Sequence, residues 1–152
     1  MAPLLADPAT AEIDIIAVQE LFQWKDMIAT HCPCSCGFWP AYPEKEHARV
    51  CFLVNKRIPP HSWNVNFLAE NLAVLTMQND KRVLNITNIY SPPPGSYTTV
   101  DNDSPIHQLP EVLSMPGEHV LIGDLNLHHK SWSRSRVSRK HRMAADLLKH
   151  VE

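Results

Sequence analysis

Apolar residues in this chain fall mostly in short runs that end at polar or turn-forming residues, and less often at helical spacing. Runs of this length, rich in β-branched residues, read as strands. They predict strands at Ile15–Gln19, Arg49–Val54, Val65–Phe67, Leu72–Met77, Arg82–Tyr90 and His119–Ile122. Asn79-Asp80 forms a turn between two of these, and Pro59-Pro60 closes the neighbourhood of another. Leu21 to Ala41 carries Pro33, Gly37 and Pro40 and reads as loop, with at most a helical turn near its start. Met1 to Thr10 is Pro- and Ala-rich, a poorly ordered start through about residue 9, with a short helix closing over Ala9–Ile13. Helical spacing recurs from Ile106 to Met115, broken by Pro110, and again after Ser138, a candidate cap. In that last segment Met143, Ala144, Leu147, Leu148 and Val151 share one face. Strands outnumber helices and hairpin signals dominate the middle, which predicts one α/β domain of two β-sheets with helices packed outside.

Three of the predicted strands stop at a residue with useful chemistry. Ile15–Gln19 runs into Glu20. Arg82–Tyr90 ends in a tyrosine, after which Pro92-Pro93-Pro94 forces the chain off the sheet. Val120-Leu121-Ile122 delivers Gly123-Asp124-Leu125-Asn126 to the lip of its sheet. A carboxylate can take a proton from water, and an amide can hold that water or a charged transition state. The pattern also has plainer readings. Gly-Asp-x-Asn is a common turn, Glu20 fits a solvated strand end, and Tyr90 fits a half-buried aromatic at a sheet edge.

The order Gln19-Glu20, Asn88-Ile89-Tyr90 and Gly123-Asp124-Leu125-Asn126 resembles the endonuclease/exonuclease/phosphatase superfamily. The closer resemblance is to the endonuclease domain of LINE-type retrotransposons, especially the fungal group. It rests further on His128-His129 followed by Trp132, on the three prolines after Tyr90, on Arg49 to Lys56, and on Ala145-Asp146-Leu147-Leu148. It runs from about residue 10 to the end of the chain. It implies a four-layer α/β sandwich of the DNase I kind, with two packed, mainly antiparallel sheets. It also implies Mg²⁺, or Mn²⁺, held by Glu20. Asp124 would be the base or water-orienting acid, Asn126 the phosphate positioner, and Tyr90 a hydroxyl donor to the scissile phosphate. His128 would lie on the substrate side. DNA would be the substrate, the parent polyprotein would carry a reverse transcriptase, and the site of action would be the nucleus.

The sequence departs from that family in two places. The family's first strand carries a metal-holding Asn, and residues 1–14 contain none; the family's closing Ser-Asp-His is also missing. The expectation is therefore a domain incomplete at both ends, weakly active or inactive as it stands. Two other functions stay open: a non-catalytic nucleic-acid-binding remnant, and a phosphatase-type relative acting on a small phosphate ester.

Composition narrows these choices only a little. With 152 residues, 44% of them hydrophobic, the chain can bury a core. The net charge of −2 excludes a global basic field. Yet Lys130, Arg134, Arg136 and Arg139 crowd one segment, which is either a solvated face or a phosphate-contacting surface. No apolar run approaches the roughly 20 residues that span a bilayer, and no secretory leader is evident, so an intracellular, membrane-free setting is expected. Cys32, Cys34 and Cys36 are spaced more tightly than zinc-binding Cys pairs and read as an exposed loop.

Overall fold

The computed structural model describes residues 2–21, 23–24, 27–28, 32–33, 35–43, 47–93, 104–127 and 142–151. Three groups of strands account for most of it. The strands β1 (Ile15–Gln19), β4 (Phe38–Ala41) and β5 (Val50–Asn55) form an antiparallel sheet in the order β1-β5-β4. β6 (Trp63–Ala69), β7 (Leu72–Gln78), β8 (Val83–Tyr90) and β9 (Glu118–Asp124) form a second sheet in that order. Its pairs are antiparallel except β8 with β9, which is parallel. Between β1 and β4, β2 (Gln23–Trp24) and β3 (Met27–Ile28) make a two-stranded ribbon. The protein is thus a mixed α/β fold dominated by its sheets.

The burial pattern explains the sequence pattern. β6 alternates half-buried Trp63, Val65, Phe67 and Ala69 with exposed neighbours, so one face is covered. β5 does not alternate, because both its faces are covered and all six of its residues are buried. Val50, Phe52 and Val54 meet Ala73, Leu75 and Tyr90 between the two sheets. On the opposite face of the small sheet, Leu53 packs with Phe38, Cys36 and Leu5. The outer face of the large sheet, with Leu72, Val74 and Ile89, is covered by Leu109, Val112, Ala144 and Leu147. Each such aliphatic side chain fully buried contributes about 1.5–3 kcal/mol.

Among the described residues, three helices flank the sheets. α1 (Ala2–Ala6) gives regular structure to a start that composition left irregular, and a 3-10 segment, Pro8–Glu12, stands where a short helix over Ala9–Ile13 was expected. This start is anchored to the end of β5. Asn55 donates to the carbonyls of Ala11 and Ile13, and Arg57 pairs with Asp14 at 2.8 Å. Pro110 does not break its helix. A 3-10 turn, Pro105–Gln108, leads into α2 (Leu109–Leu113), where Pro110 sits in the first turn and loses no hydrogen bond. α3 (Arg142–Val151) buries Ala144 and Leu147 on the predicted face. The segment expected to be loop also holds β4, an edge strand that tolerates Pro40 because, among the described residues, only its inner side is paired, with β5. No helix among the described residues is long and apolar enough to cross a membrane.

Candidate functional site

Strand direction gathers the polar strand ends in one place. β8 and β9 run parallel, so their C-terminal ends coincide and Tyr90 lies opposite Asp124. β1 runs antiparallel to β5, with Gln19 opposite Val50, so Glu20 and Arg49 share an end of the small sheet. A hydrogen bond from the Tyr90 hydroxyl to Glu20 Oε1 joins that end to the end of β8. The turn between β6 and β7 adds Glu70 and Asn71, whose carbonyls accept from the amides of Arg49 (2.6 Å) and Tyr90 (2.9 Å).

Asp124 and Asn126 are fixed by backbone geometry. Gly123 has φ +139, and a side chain there would collide with the Ile89 carbonyl. Only glycine lets β9 approach β8 this closely just before Asp124. Past the strand, Asn126 takes a left-handed backbone, φ 47, which Asn tolerates better than most residues. Its amide N–H donates to Asp124 Oδ1 at 3.0 Å, closing an Asx turn. Its side-chain Nδ2 donates to the Ser91 carbonyl at 2.9 Å, while the Ser91 amide donates to the Asp124 carbonyl at 2.8 Å. The turn reading and the site reading of Gly-Asp-x-Asn are therefore compatible: the turn aims the acid and the amide. Glu20 is also left-handed, φ 55. For a long side chain without a local hydrogen bond of this kind, that conformation costs about 1–2 kcal/mol and is characteristic of functional sites.

Tyr90 is the electrostatic centre of the group. Its ring is buried, and its hydroxyl bond to Glu20, aided by burial, pushes the phenol above its ordinary pKa of 10.0. Arg49 opposes that shift, with its guanidinium carbon 4.5 Å from the centre of the Tyr90 ring. Among the described residues this guanidinium makes no ion pair. Arg49 belongs to a motif noted in the sequence, but nothing marked it as a site residue. An arginine immediately before the apolar run Val50–Val54 was the available signal.

The donor set suits a hard divalent cation. Among the described residues no three His, Cys, Asp or Glu side chains converge as a ready-made cage. Mg²⁺, however, is usually held by one or two carboxylates plus water and phosphate. Glu20 and Asp124 are exposed, and each has one oxygen engaged, by Tyr90 and by the Asn126 amide. Each keeps a second oxygen for a ligand. Glu20, Tyr90, Asp124 and Asn126 are thus brought together. His128, Lys130, Arg134, Arg136 and Arg139 lie outside the described residues. A cavity of about 340 Å³ lined by Ser62, Met77, Gln78, Asn79, Arg82 and Leu84 sits at the other end of β7 and β8, remote from this chemistry.

Comparison with models of known protein families returns no match, and no curated protein matches the chain.

Proposed function

We propose that this chain carries the phosphodiester-cleaving site of a magnesium-dependent DNA endonuclease, on a four-layer sandwich of the DNase I kind. The observation that supports this best is the meeting of Glu20, Tyr90, Asp124 and Asn126 at one sheet end. These residues have the chemistry and the order of the retrotransposon endonucleases that the sequence resembles. In this reading Asp124 accepts a proton from the attacking water. Asn126, fixed through Ser91, steadies the phosphate. Tyr90 turns its hydroxyl from Glu20 toward the scissile phosphate as the substrate enters. Glu20, with the negative charge of Asp124 beside it, would hold Mg²⁺ or Mn²⁺, which when bound neutralises charge on the phosphate. Arg49 adds permanent positive charge beside the tyrosine. By the same resemblance the enzyme would act on DNA in the nucleus, as part of a polyprotein that includes a reverse transcriptase.

The Ser-Asp-His group that completes the family's chemistry is not among these residues. Missing one acid–base partner costs about 10²–10⁴ in rate, so weak nicking is expected from this chain alone. The site is therefore tested by metal binding as well as by cleavage. Mn²⁺ titration followed by water-proton relaxation should show binding that Glu20→Gln and Asp124→Ala each weaken. Supercoiled plasmid with Mg²⁺ should be nicked slowly, and not at all by Asp124→Ala. Mn²⁺ binding indifferent to both substitutions would overturn the site. Turnover of small phosphate esters without nicking would move the reading to a phosphatase.

A further inference from the structure

A second chemical group sits on the outer face of the small sheet, where the nuclease reading has no use for it. Cys32 Sγ and Cys36 Sγ are 2.9 Å apart, about 0.9 Å more than a disulfide bond. Their approach is fixed by the backbone: the Cys36 amide donates to the Pro33 carbonyl at 2.9 Å. Cys36 is buried against Phe38 and Leu53, while Cys32 is only partly buried. The third described thiol, Cys51, is on β5 and fully buried.

We propose that Cys32 and Cys36 form a reversible dithiol–disulfide pair that reacts with small disulfides. Cys32, the more exposed sulfur, attacks as thiolate one sulfur of a small disulfide RSSR. This forms a mixed disulfide and releases RS⁻, which takes the proton Cys32 gave up. Cys36 then attacks the Cys32 sulfur, closing the protein disulfide and expelling the second RSH. Two protein thiols lose two electrons and two protons, and RSSR becomes two RSH. Cys51 takes no part. It is closed to solvent, and burial pushes its thiol up to about 12, so its reactive thiolate is scarce. The oxidised bond fastens the chain just ahead of β4, at the edge of the sheet whose first strand leads into Glu20.

The test uses the full chain, oxidised glutathione as probe, and mass spectrometry of the tryptic peptide 26–45. A Cys34→Ser background leaves only Cys32 and Cys36 in that peptide. The expected result is loss of two hydrogens from the peptide, reversed by dithiothreitol. Cys51 should be alkylated only after denaturation, and wild type should show the same bond by fragmentation. Cys36→Ser should instead accumulate glutathione on Cys32. Four results would overturn the proposal: glutathione persisting on Cys32 with Cys36 intact, disulfide-linked dimers, preferential bonding through Cys34 in wild type, or stoichiometric zinc that keeps the thiols reduced under oxidant.

Discussion

The side chain of Gln19 donates to the amide oxygen of Asn88 at 2.6 Å, across the space between the two sheets. Asn88 is fully buried, and its own NH₂ reaches the carbonyls of Val18 (3.1 Å) and Cys51 (2.9 Å). One amide on β8 thus bonds to both β1 and β5. The residue after Gln19 and the second after Asn88 are Glu20 and Tyr90, so this staple sets the distance between the two site residues. Asn88→Ala would remove three hydrogen bonds from the seam between the sheets, at a cost of about 2–4 kcal/mol. Urea unfolding should show a lower midpoint with an unchanged slope. A midpoint equal to wild type would mean the two sheets are held by their apolar contacts alone.

Gly123→Ala should be about as damaging. A methyl group there meets the Ile89 carbonyl at 1.9 Å and must also adopt φ +139. Strain and overlap together cost on the order of 3 kcal/mol. Thermal unfolding measures this, and a shift smaller than that of a typical surface substitution would show that β9 can move away from β8 freely.

Alkaline pH should destabilise the protein through Tyr90. Its phenol holds its proton more tightly folded than unfolded. The contribution is therefore complete below the ordinary pKa of 10.0 and is lost as pH rises through the higher folded value. Tyr90→Phe should remove that part of the loss. Arg49→Met removes the charge that favours the phenolate and should move the Tyr90 titration further up, as read by tyrosinate absorbance against a Tyr90→Phe blank. A downward or absent shift would show that Arg49 does not sit over the ring in solution.

The basic run is tested by salt. Each phosphate neutralised contributes about −0.9 to the slope of log affinity against log salt on duplex DNA. Replacing Arg134, Arg136 and Arg139 with Ala should flatten the slope and weaken binding equally for unrelated sequences. Fluorescence titrations over several salt concentrations decide it; an unchanged slope would make the run a solvated face.

Much of the fold was legible because its strands obey simple patterns. Ile15–Gln19 was read with its observed limits, and the Asn79 turn closes as its residues suggest, with the side chain of Asn79 accepting from the amides of Lys81 and Arg82. β4 escaped because Pro40 argues against a strand unless the strand is known to be an edge, which is a fact of the sheet and not of the segment. Pro110 misled for a related reason: whether proline breaks or begins a helix depends on where that helix starts. The candidate site was legible as strand ends, since Glu20, Tyr90 and Asp124 each stand where a predicted strand stops. The involvement of Arg49, Glu70 and Asn71 was not, because they arrive from other strands through pairings no local pattern encodes.

The bond between Tyr90 and Glu20 spans 70 positions of the chain. Neighbours in sequence cannot assemble this corner early; it waits for loop closure across both sheets, which is slow. On a ribosome, Glu20 is made long before its partner, and Asp124 arrives later still. In refolding from denaturant, near-ultraviolet signals from the tyrosine should therefore recover among the last, after hairpins such as β6–β7 have zipped.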